Sequence, residues 1–142
     1  MQTFLPYESL QKSARCLDIK RLNSQRVEAL TLANTIAGRT MTWTKHPAYK
    51  MWEPYERYLC LYGIAICEEW ISRGYKDTVM NKFNELDLWF RRNGNPQYDR
   101  PHWLGNEKLH ASHRAALLFK NPEWYGQFKW TEEPDINYYW PT

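Results

Sequence analysis

Glycine and cysteine are scarce in this sequence, and their scarcity removes several classes of enzyme. The 6 glycines do not assemble into a phosphate-binding loop or a dinucleotide-binding fingerprint. No serine lies in the glycine-flanked elbow that exposes a nucleophile. The three cysteines, Cys16, Cys60 and Cys67, are odd in number and lack metal-ligand spacing. Phosphate-loop chemistry and serine or cysteine nucleophiles are therefore excluded, and a reducing cytoplasm is the expected location.

A long apolar run and a strong charge of one sign are also missing. No uncharged stretch approaches the ~18 residues of a membrane span, and no basic segment followed by an apolar core opens the chain. We therefore expect a protein that is neither secreted nor membrane-spanning. The formal net charge is only +3, from 19 Lys and Arg against 16 Asp and Glu. This balance permits a local basic groove but excludes a uniformly basic coat for nucleic acid.

Aromatic side chains, by contrast, are abundant. They make up 16% of the chain within a hydrophobic content of 43%, and include 8 Trp and 10 Tyr. A chain of 142 residues lies in the single-domain range, and this apolar content is ample for one core at about 25 cal/mol per Å² buried. One domain over residues 1–142 is expected. Its Trp and Tyr side chains either fill the core or stack on bases and protein partners.

Apolar spacings of three and four residues predict an all-α fold, since no strict alternation lasts long enough to build a sheet. The predicted helices cover residues 8–17, 23–37, 55–73, 77–92 and 106–120. Residues 1–7 predict an extended arm that is closed by Pro6. Residues 39–54 are expected to form a proline-broken connection with a single turn. The aromatic tail after residue 120 should pack back, which completes a compact helical bundle.

The long second helix has predicted ends and a predicted apolar face. Asn23 or Ser24 is the expected N-cap, and Gly38 supplies the left-handed stop. The apolar face is formed by Val27, Leu30, Ala33 and Ile36. In the later helix that spans residues 77–92, Asp77 is the plausible cap.

A carboxylate within a cationic segment is the first candidate for chemistry. Arg21, Gln25 and Glu28 follow one another at spacings of four and three, so they can share a helix face. Such residues usually lie on a solvated helix surface and form salt bridges there. The residues alone favour that structural role.

Histidines and basic residues near the last helix form a second candidate set. A zinc site needs three or four converging ligands, and His102, His110 and His113 have no evident fourth partner. We therefore prefer polar-site or structural histidines to a metal centre, and expect no cofactor. His110 and His113, together with Arg114 and Lys120, could bind phosphates as easily as face water.

Several short runs, in order along most of the chain, match those of one known family. Residues 13–22 (SARCLDIKRL) and 25–28 (QRVE) correspond to its first helix. The match continues with His46-Pro47, with residues 62–69, with Arg73-Gly74-Tyr75 and with Asp77-Thr78, and it closes with His110, Arg114, Lys120 and residues 122–125 (PEWY). Together these runs resemble the pyrimidine-dimer DNA glycosylase family, known as endonuclease V.

The resemblance implies a helical enzyme that flips a nucleotide out of damaged duplex DNA and cleaves its glycosidic bond. In the family the N-terminal α-amine forms an imine with the sugar and then permits strand cleavage by β-elimination. An α-amine suits this attack because its pKa of about 7.7 to 8 leaves an unprotonated fraction at neutral pH. Gln2 is large, whereas family members expose a small second residue, so Met1 is expected to be retained; either Met1 N is the nucleophile or the imine mechanism has been lost. Glu28 matches the family's assisting carboxylate.

The resemblance also implies a set of DNA contacts. The residues expected to contact DNA are Arg21, Gln25, Arg26, His110, His113, Arg114, Lys120, Trp124 and Tyr125. The expected partner is double-stranded DNA with a damaged or modified pyrimidine, bound by a monomer. The alternative is a non-catalytic module of the same fold that binds nucleic acid or protein, which would show salt-sensitive binding without base release.

Overall fold

A computed structural model describes residues 1–141 and confirms the all-α prediction. The helices are α1 (Leu10–Cys16), α2 (Ile19–Ile36), α3 (Pro47–Trp52), α4 (Glu56–Ser72), α5 (Met80–Asn93), α6 (Glu107–Lys120) and α7 (Pro122–Tyr125). Two 3₁₀ turns, Glu53–Tyr55 and Gly126–Phe128, follow α3 and α7. No strand occurs within residues 1–141.

Helix α4 is the centre of the packing. It contacts α1, α2 and α5, and its middle is apolar because it meets neighbours on several sides. Gly63 permits the approach of α5, since a Cβ atom at this position would lie 2.3 Å from the Phe83 ring. Neither α4 nor any other helix in the described part of the chain is long and apolar enough to cross a membrane.

The helix ends follow local chemistry that the sequence displays. Ser9 caps α1 by accepting a hydrogen bond from Lys12 N, and Asn106 caps α6 by accepting one from Lys108 N. The Asp77 carboxylate accepts hydrogen bonds from the first amides of α5, as predicted. Gly38 and Gly74 follow α2 and α4 with φ values of +78° and +93°, the left-handed conformation in which glycine is favoured.

The predicted start of the second helix was wrong, and its predicted apolar face was right for Leu30, Ala33 and Ile36, which pack on the core, but not for Val27. Helix α2 begins at Ile19 rather than at Asn23 or Ser24, because Asp18 is fixed by Tyr125 and the helix propagates directly from it. Val27 is 58% exposed instead of lying on the buried face. That face instead carries Gln25 and Arg26, whose polar groups find partners inside the protein.

The connection between α2 and α4 is more helical than predicted. Pro47 occupies the first turn of α3, where a missing N–H group costs nothing. The His46 Nδ1 atom accepts a hydrogen bond from Ala48 N and so caps this helix. Trp52, at the other end of α3, is completely buried, which explains why the segment folds onto the core.

The tail packs back against the helices, as predicted, and the extended N-terminal arm packs against them as well. Residues 2–6 are buried in an extended arm that runs between α2 and α6. The tail returns over the arm and α6, where Tyr138 packs on Phe4 and Asp135 N donates to Ala115 O.

Candidate active site

The N-terminal arm is held on its α2 side by one buried glutamine. Gln25 has no exposed surface. Its Oε1 atom accepts hydrogen bonds from Phe4 N at 3.0 Å and from the Tyr62 hydroxyl at 2.6 Å. Its Nε2 atom donates to Gln2 O at 2.8 Å. A single side chain thus fixes two backbone groups of the arm, as a neighbouring strand would.

Two buried histidines hold the arm on its α6 side. The His113 Nδ1 atom accepts from Leu5 N at 2.8 Å. The His110 Nε2 atom accepts from Gly105 N, so its Nδ1 atom carries the proton and donates to Leu5 O at 2.7 Å. Both polar groups of Leu5 are therefore satisfied by side chains, which is the requirement for burying an extended backbone.

The arm environment keeps His113 neutral. Burial of the ring, with a smaller contribution from neighbouring His110, lowers the pKa of His113 to about 3. Because Nδ1 accepts a hydrogen bond, the proton lies on Nε2, which has no hydrogen-bond partner within the described residues. His113 therefore serves the arm as an uncharged acceptor.

Two core residues that the candidate set omitted complete the binding of the arm. The Tyr62 hydroxyl lies within 2.9 Å of Phe4 O, and the Trp52 indole N–H donates to the Thr3 hydroxyl at 2.8 Å. Burial raises the pKa of Tyr62 well above its usual range, so the hydroxyl keeps its proton. Only a polar atom on an otherwise apolar helix face marks such residues in a sequence.

Glu28 lies next to this arm on the α2 surface. Its Oε2 atom accepts a hydrogen bond from Gln25 Nε2 at 3.2 Å. The same amide nitrogen donates to Gln2 O, so one nitrogen bridges the carboxylate and the arm backbone. Glu28 is half-buried. Burial, and then the negative charge of Glu28, raise the pKa of Tyr138, and the charge of Arg21 opposes them.

The α-amine at Met1 begins the arm. All ion pairs found among residues 1–141 join side chains, so no carboxylate in that range is paired with the amine. Burial and then the positive charge of this amine lower the pKa of His46. The imidazole of His46 is thus in the electrostatic neighbourhood of the amine. Met1 itself is half-buried against the core.

The structure places Arg26 inside rather than on the α2 surface. Its guanidinium binds Asp77 Oδ1 through Nε at 3.0 Å and through Nη2 at 2.8 Å. It also lies 4.6 Å from the centre of the Trp70 ring. Arg26 is 8% exposed, so in this state its charge is committed to joining α2 to the start of α5.

The predicted DNA contacts on α6 and α7 also include both exposed residues and residues with partners inside the protein. Arg114 donates to Pro6 O at 2.8 Å and binds Glu132 and Glu107, so it holds the arm and the tail together. Lys120 is exposed at the end of α6. Tyr125 is buried with its hydroxyl on Asp18, while Trp124 is partly exposed and donates to Cys16 O.

The predicted site residues therefore form two groups in space. Gln25, His110 and His113 lie beneath the arm, and their hydrogen bonds determine where its backbone runs. Glu28 and the carbonyl of Gln2, the residue after Met1, accept hydrogen bonds from the same Gln25 amide, and Arg21 lies two turns before Glu28 on α2. An α-amine and a carboxylate near one another could supply attack and proton transfer. Contact of any of these residues with DNA stays a prediction.

Comparison with known proteins identifies one family. A family model described as pyrimidine dimer DNA glycosylase matches residues 1–82. This range is more than half of the chain and holds the arm, Gln25, Glu28 and Tyr62. No curated protein and no solved structure matches the chain.

Proposed function

The chain belongs to the pyrimidine dimer DNA glycosylase family, and we propose that it removes a damaged or modified pyrimidine from double-stranded DNA. In this proposal the Met1 α-amine is the nucleophile and Glu28 is the assisting carboxylate. Arg21, Lys120 and Trp124 contact the DNA around them. The protein acts without a metal or another cofactor.

The observation that carries this proposal is the hydrogen-bond network through Gln25. One amide nitrogen binds both the Glu28 carboxylate at 3.2 Å and Gln2 O at 2.8 Å. Displacement of the first residues would therefore break a buried contact, and the amine cannot drift freely from the carboxylate. Such pre-organisation is the main contribution that a rigid site makes to a reaction between two bound groups.

The chemistry assigned to each group is simple. The unprotonated amine attacks C1′ of the nucleotide, and the bond from C1′ to the base breaks as the base leaves with its electrons and takes up one of the amine protons. The C1′–O4′ bond then breaks, O4′ takes up the second proton, and the open-chain sugar is bound as an imine. Loss of the C2′ proton expels the 3′ phosphate by β-elimination, and water releases the sugar from the amine. Glu28 stabilises the cationic sugar and accepts a proton, as a nearby carboxylate can.

The absence of an ion pair at the amine within residues 1–141 supports this role. A carboxylate in contact would hold the ammonium form and lower the fraction that can attack. The group that interacts electrostatically with the amine is His46. Burial, and then the charge of the amine, lower the pKa of this imidazole. The imidazole is therefore largely neutral at pH 7 and adds little charge there.

The first experiment tests the nucleophile. Duplexes that each carry one defined pyrimidine lesion are incubated with the protein, base release is scored, and parallel samples are treated with borohydride. We expect release from at least one lesion and a covalent protein–DNA adduct that peptide mapping places on Met1. Base release without an adduct would contradict the amine and indicate activated water. Salt-sensitive binding without release from any lesion would indicate the non-catalytic module.

The second experiment tests Glu28 and is our first mutational prediction. Glu28→Gln keeps the size and hydrogen-bonding reach of the side chain but removes its charge and basicity. We expect base release to fall by about 10² to 10⁴-fold, the usual contribution of general acid–base catalysis. DNA affinity and thermal stability should change little.

Glu68→Gln is the matched control for this variant. Glu68 is an exposed carboxylate on α4, and its replacement should leave the rate unchanged. Wild-type rates in both variants would show that Glu28 is an ordinary surface charge, for which the loss is about 0 to 1 kcal/mol of stability.

A further inference from the structure

We propose that Trp43 is a DNA-stacking side chain that occupies the space left in the duplex when a nucleotide is extruded at the lesion. The inference rests on the proposed function, because attack at C1′ of a paired nucleotide requires the duplex to open there. It concerns a residue of the 37–46 loop between α2 and α3, outside the network that holds the arm.

The first observation is the backbone of Trp43. Its φ angle is +70°, and Trp43 and Lys129 are the two non-glycine residues with positive φ among residues 1–141. A bulky side chain in this region is an outlier whose strain must be offset by surrounding contacts. Such conformations concentrate where a side chain must point in a required direction.

The second observation is how firmly the loop is built around this residue. Trp43 O accepts a hydrogen bond from His46 N at 2.9 Å. The preceding carbonyl, Thr42 O, accepts one from the Thr35 hydroxyl of α2 at 2.6 Å. The indole meets the His46 imidazole edge to face at 5.4 Å, with an interplanar angle of 90°. The ring is therefore pre-organised and loses little rotational freedom when it stacks.

The third observation is the exposure of the ring to solvent. Trp43 is 38% exposed and is absent from the hydrophobic core. Met41, two residues earlier in the same loop, is 79% exposed. The loop thus presents an apolar tip to solvent, which is the composition of the wedges with which DNA-bending proteins unstack a base step.

Charge and position identify the partner as DNA at the reacting centre. Lys45 is exposed next to Trp43 in sequence, and with Lys50 it lines a cavity of about 390 Å³ beside His46 and Trp140. Cations flanking an apolar tip suit a polyanion with stacked bases. His46, which contacts the indole, also contacts Trp140, whose neighbour Tyr138 packs on Phe4 of the arm. A series of ring contacts therefore connects Trp43 to the arm that begins with Met1.

The role follows from the cost of extrusion. Extrusion of a nucleotide beside the reacting sugar leaves a gap in the stack, and an inserted apolar side chain stabilises the kinked duplex around that gap. An indole does this without reading sequence, because every base offers a π-face. Trp43 would accordingly control how readily the nucleotide is extruded and would leave the later chemistry unchanged.

The test compares Trp43→Gly with Trp43→Phe. Glycine adopts φ near +70° without a Cβ clash, so the Gly variant should fold with an unchanged Tm while lacking the ring. Base release is measured on a fully paired duplex and on the same lesion in a small bulge, where the stack is already broken. For the Gly variant we expect a loss of roughly 10- to 100-fold on the paired duplex, corresponding to one base–aromatic stack. On the bulge its rate should be near that of the wild type.

Two control variants and a fluorescence measurement complete the test. Trp43→Phe should retain most of the activity, and Phe119→Ala, which removes a 56% exposed ring from α6, should retain all of it. A fluorescent purine beside the lesion should brighten when the wild type binds but not when the Gly variant binds. Equal rates for wild type and the Gly variant, or equal losses on both substrates, would overturn the inference. If the wild type releases no base, the proposed function fails, and the fluorescence change still decides whether Trp43 enters the stack.

Discussion

The two ends of the chain are attached to the same helices by different forces. In the arm, residues 2–6 are all buried, and the backbone is bound by Gln25, His110, His113 and Arg114. In the tail, none of residues 129–141 is buried. Directional hydrogen bonds from rigid helices fix a backbone to one register, whereas ring contacts permit sliding. The end that carries the proposed nucleophile is the one that is held in register.

The tail relies on aromatic contacts and on the ion pair between Glu132 and Arg114. Trp130 stacks on Tyr125 with ring centres 5.6 Å apart and an interplanar angle of 14°. Tyr138 meets Phe4 and His113 edge to face, and Trp140 meets His46. Two tail amides donate to α6, those of Asp135 and Tyr139. The tail therefore covers the arm without determining its path.

The largest effect is expected when Gln25, which holds the arm, is replaced. Gln25→Leu leaves Phe4 N and Gln2 O buried without their partners, and each such group costs about 1 to 3 kcal/mol. We expect the free energy of unfolding to fall by about 2 to 6 kcal/mol and base release to be lost with the arm register. Urea denaturation measures the first effect.

Gln11→Leu provides the matched control. Gln11 is exposed on α1, and this substitution should stay within about 0.5 kcal/mol of the wild type. Equal stabilities for the two variants would show that Gln25 does not secure the arm.

Acid should loosen the arm before the tail, through His113. Its pKa in the folded protein is about 3, against roughly 6.5 in an unfolded chain. Protonation of His113 therefore favours the unfolded state. The neutral ring makes its full contribution to the free energy of unfolding above about pH 6.5. As the pH falls from there towards 3, stability should drop by up to about 1.4 kcal/mol per unit.

His113→Asn checks this assignment, since an amide oxygen can accept from Leu5 N but does not titrate in this range. The variant should lose most of the slope between pH 6 and pH 4 in urea denaturation curves, whatever its stability at pH 8. A variant with the full wild-type slope would place the acid sensitivity elsewhere.

The smallest effect is expected in the tail. Trp130→Phe keeps a stacked ring on Tyr125 but removes the hydrogen bond from the indole N–H to the Tyr7 hydroxyl, which is 2.8 Å long. Loss of one partly buried hydrogen bond should cost about 1 kcal/mol, with little change in base release. Tyr7→Phe removes the same bond, so the double variant should cost no more than the larger single one. Fully additive losses would show that the two groups act separately.

Helix positions were largely predictable because their signals are local. The bounds of α4, α5 and α6 follow from apolar spacing, from Asp77 and Asn106 as caps, and from Gly74. The early start of α2 was not predictable, since Asp18 is fixed by Tyr125, 107 residues away. Ser24 is a good cap by type, but tertiary contact outweighed that preference.

Several of the predicted site residues bind the arm, but the sequence did not reveal these contacts. Gln25 and Arg26 have the composition of a solvated helix face, and nothing near them in the sequence reveals partners at Phe4 and Asp77. Tyr62 has the opposite problem, because its apolar surroundings conceal a hydroxyl that faces the arm. Such pairings depend on distant segments meeting, and periodicity does not contain that information.

Gly63 sets a practical limit on engineering this protein for heat resistance. Replacing glycine with alanine commonly stabilises a fold by about 0.4 to 1 kcal/mol by restricting the unfolded chain. At Gly63 the added methyl group would overlap the Phe83 ring, so the gain is reversed there. Gly126 has a right-handed helical backbone with φ of −61°, and a methyl group added to it would enter open space. A thermostability library should therefore vary residue 126 and keep residue 63 fixed.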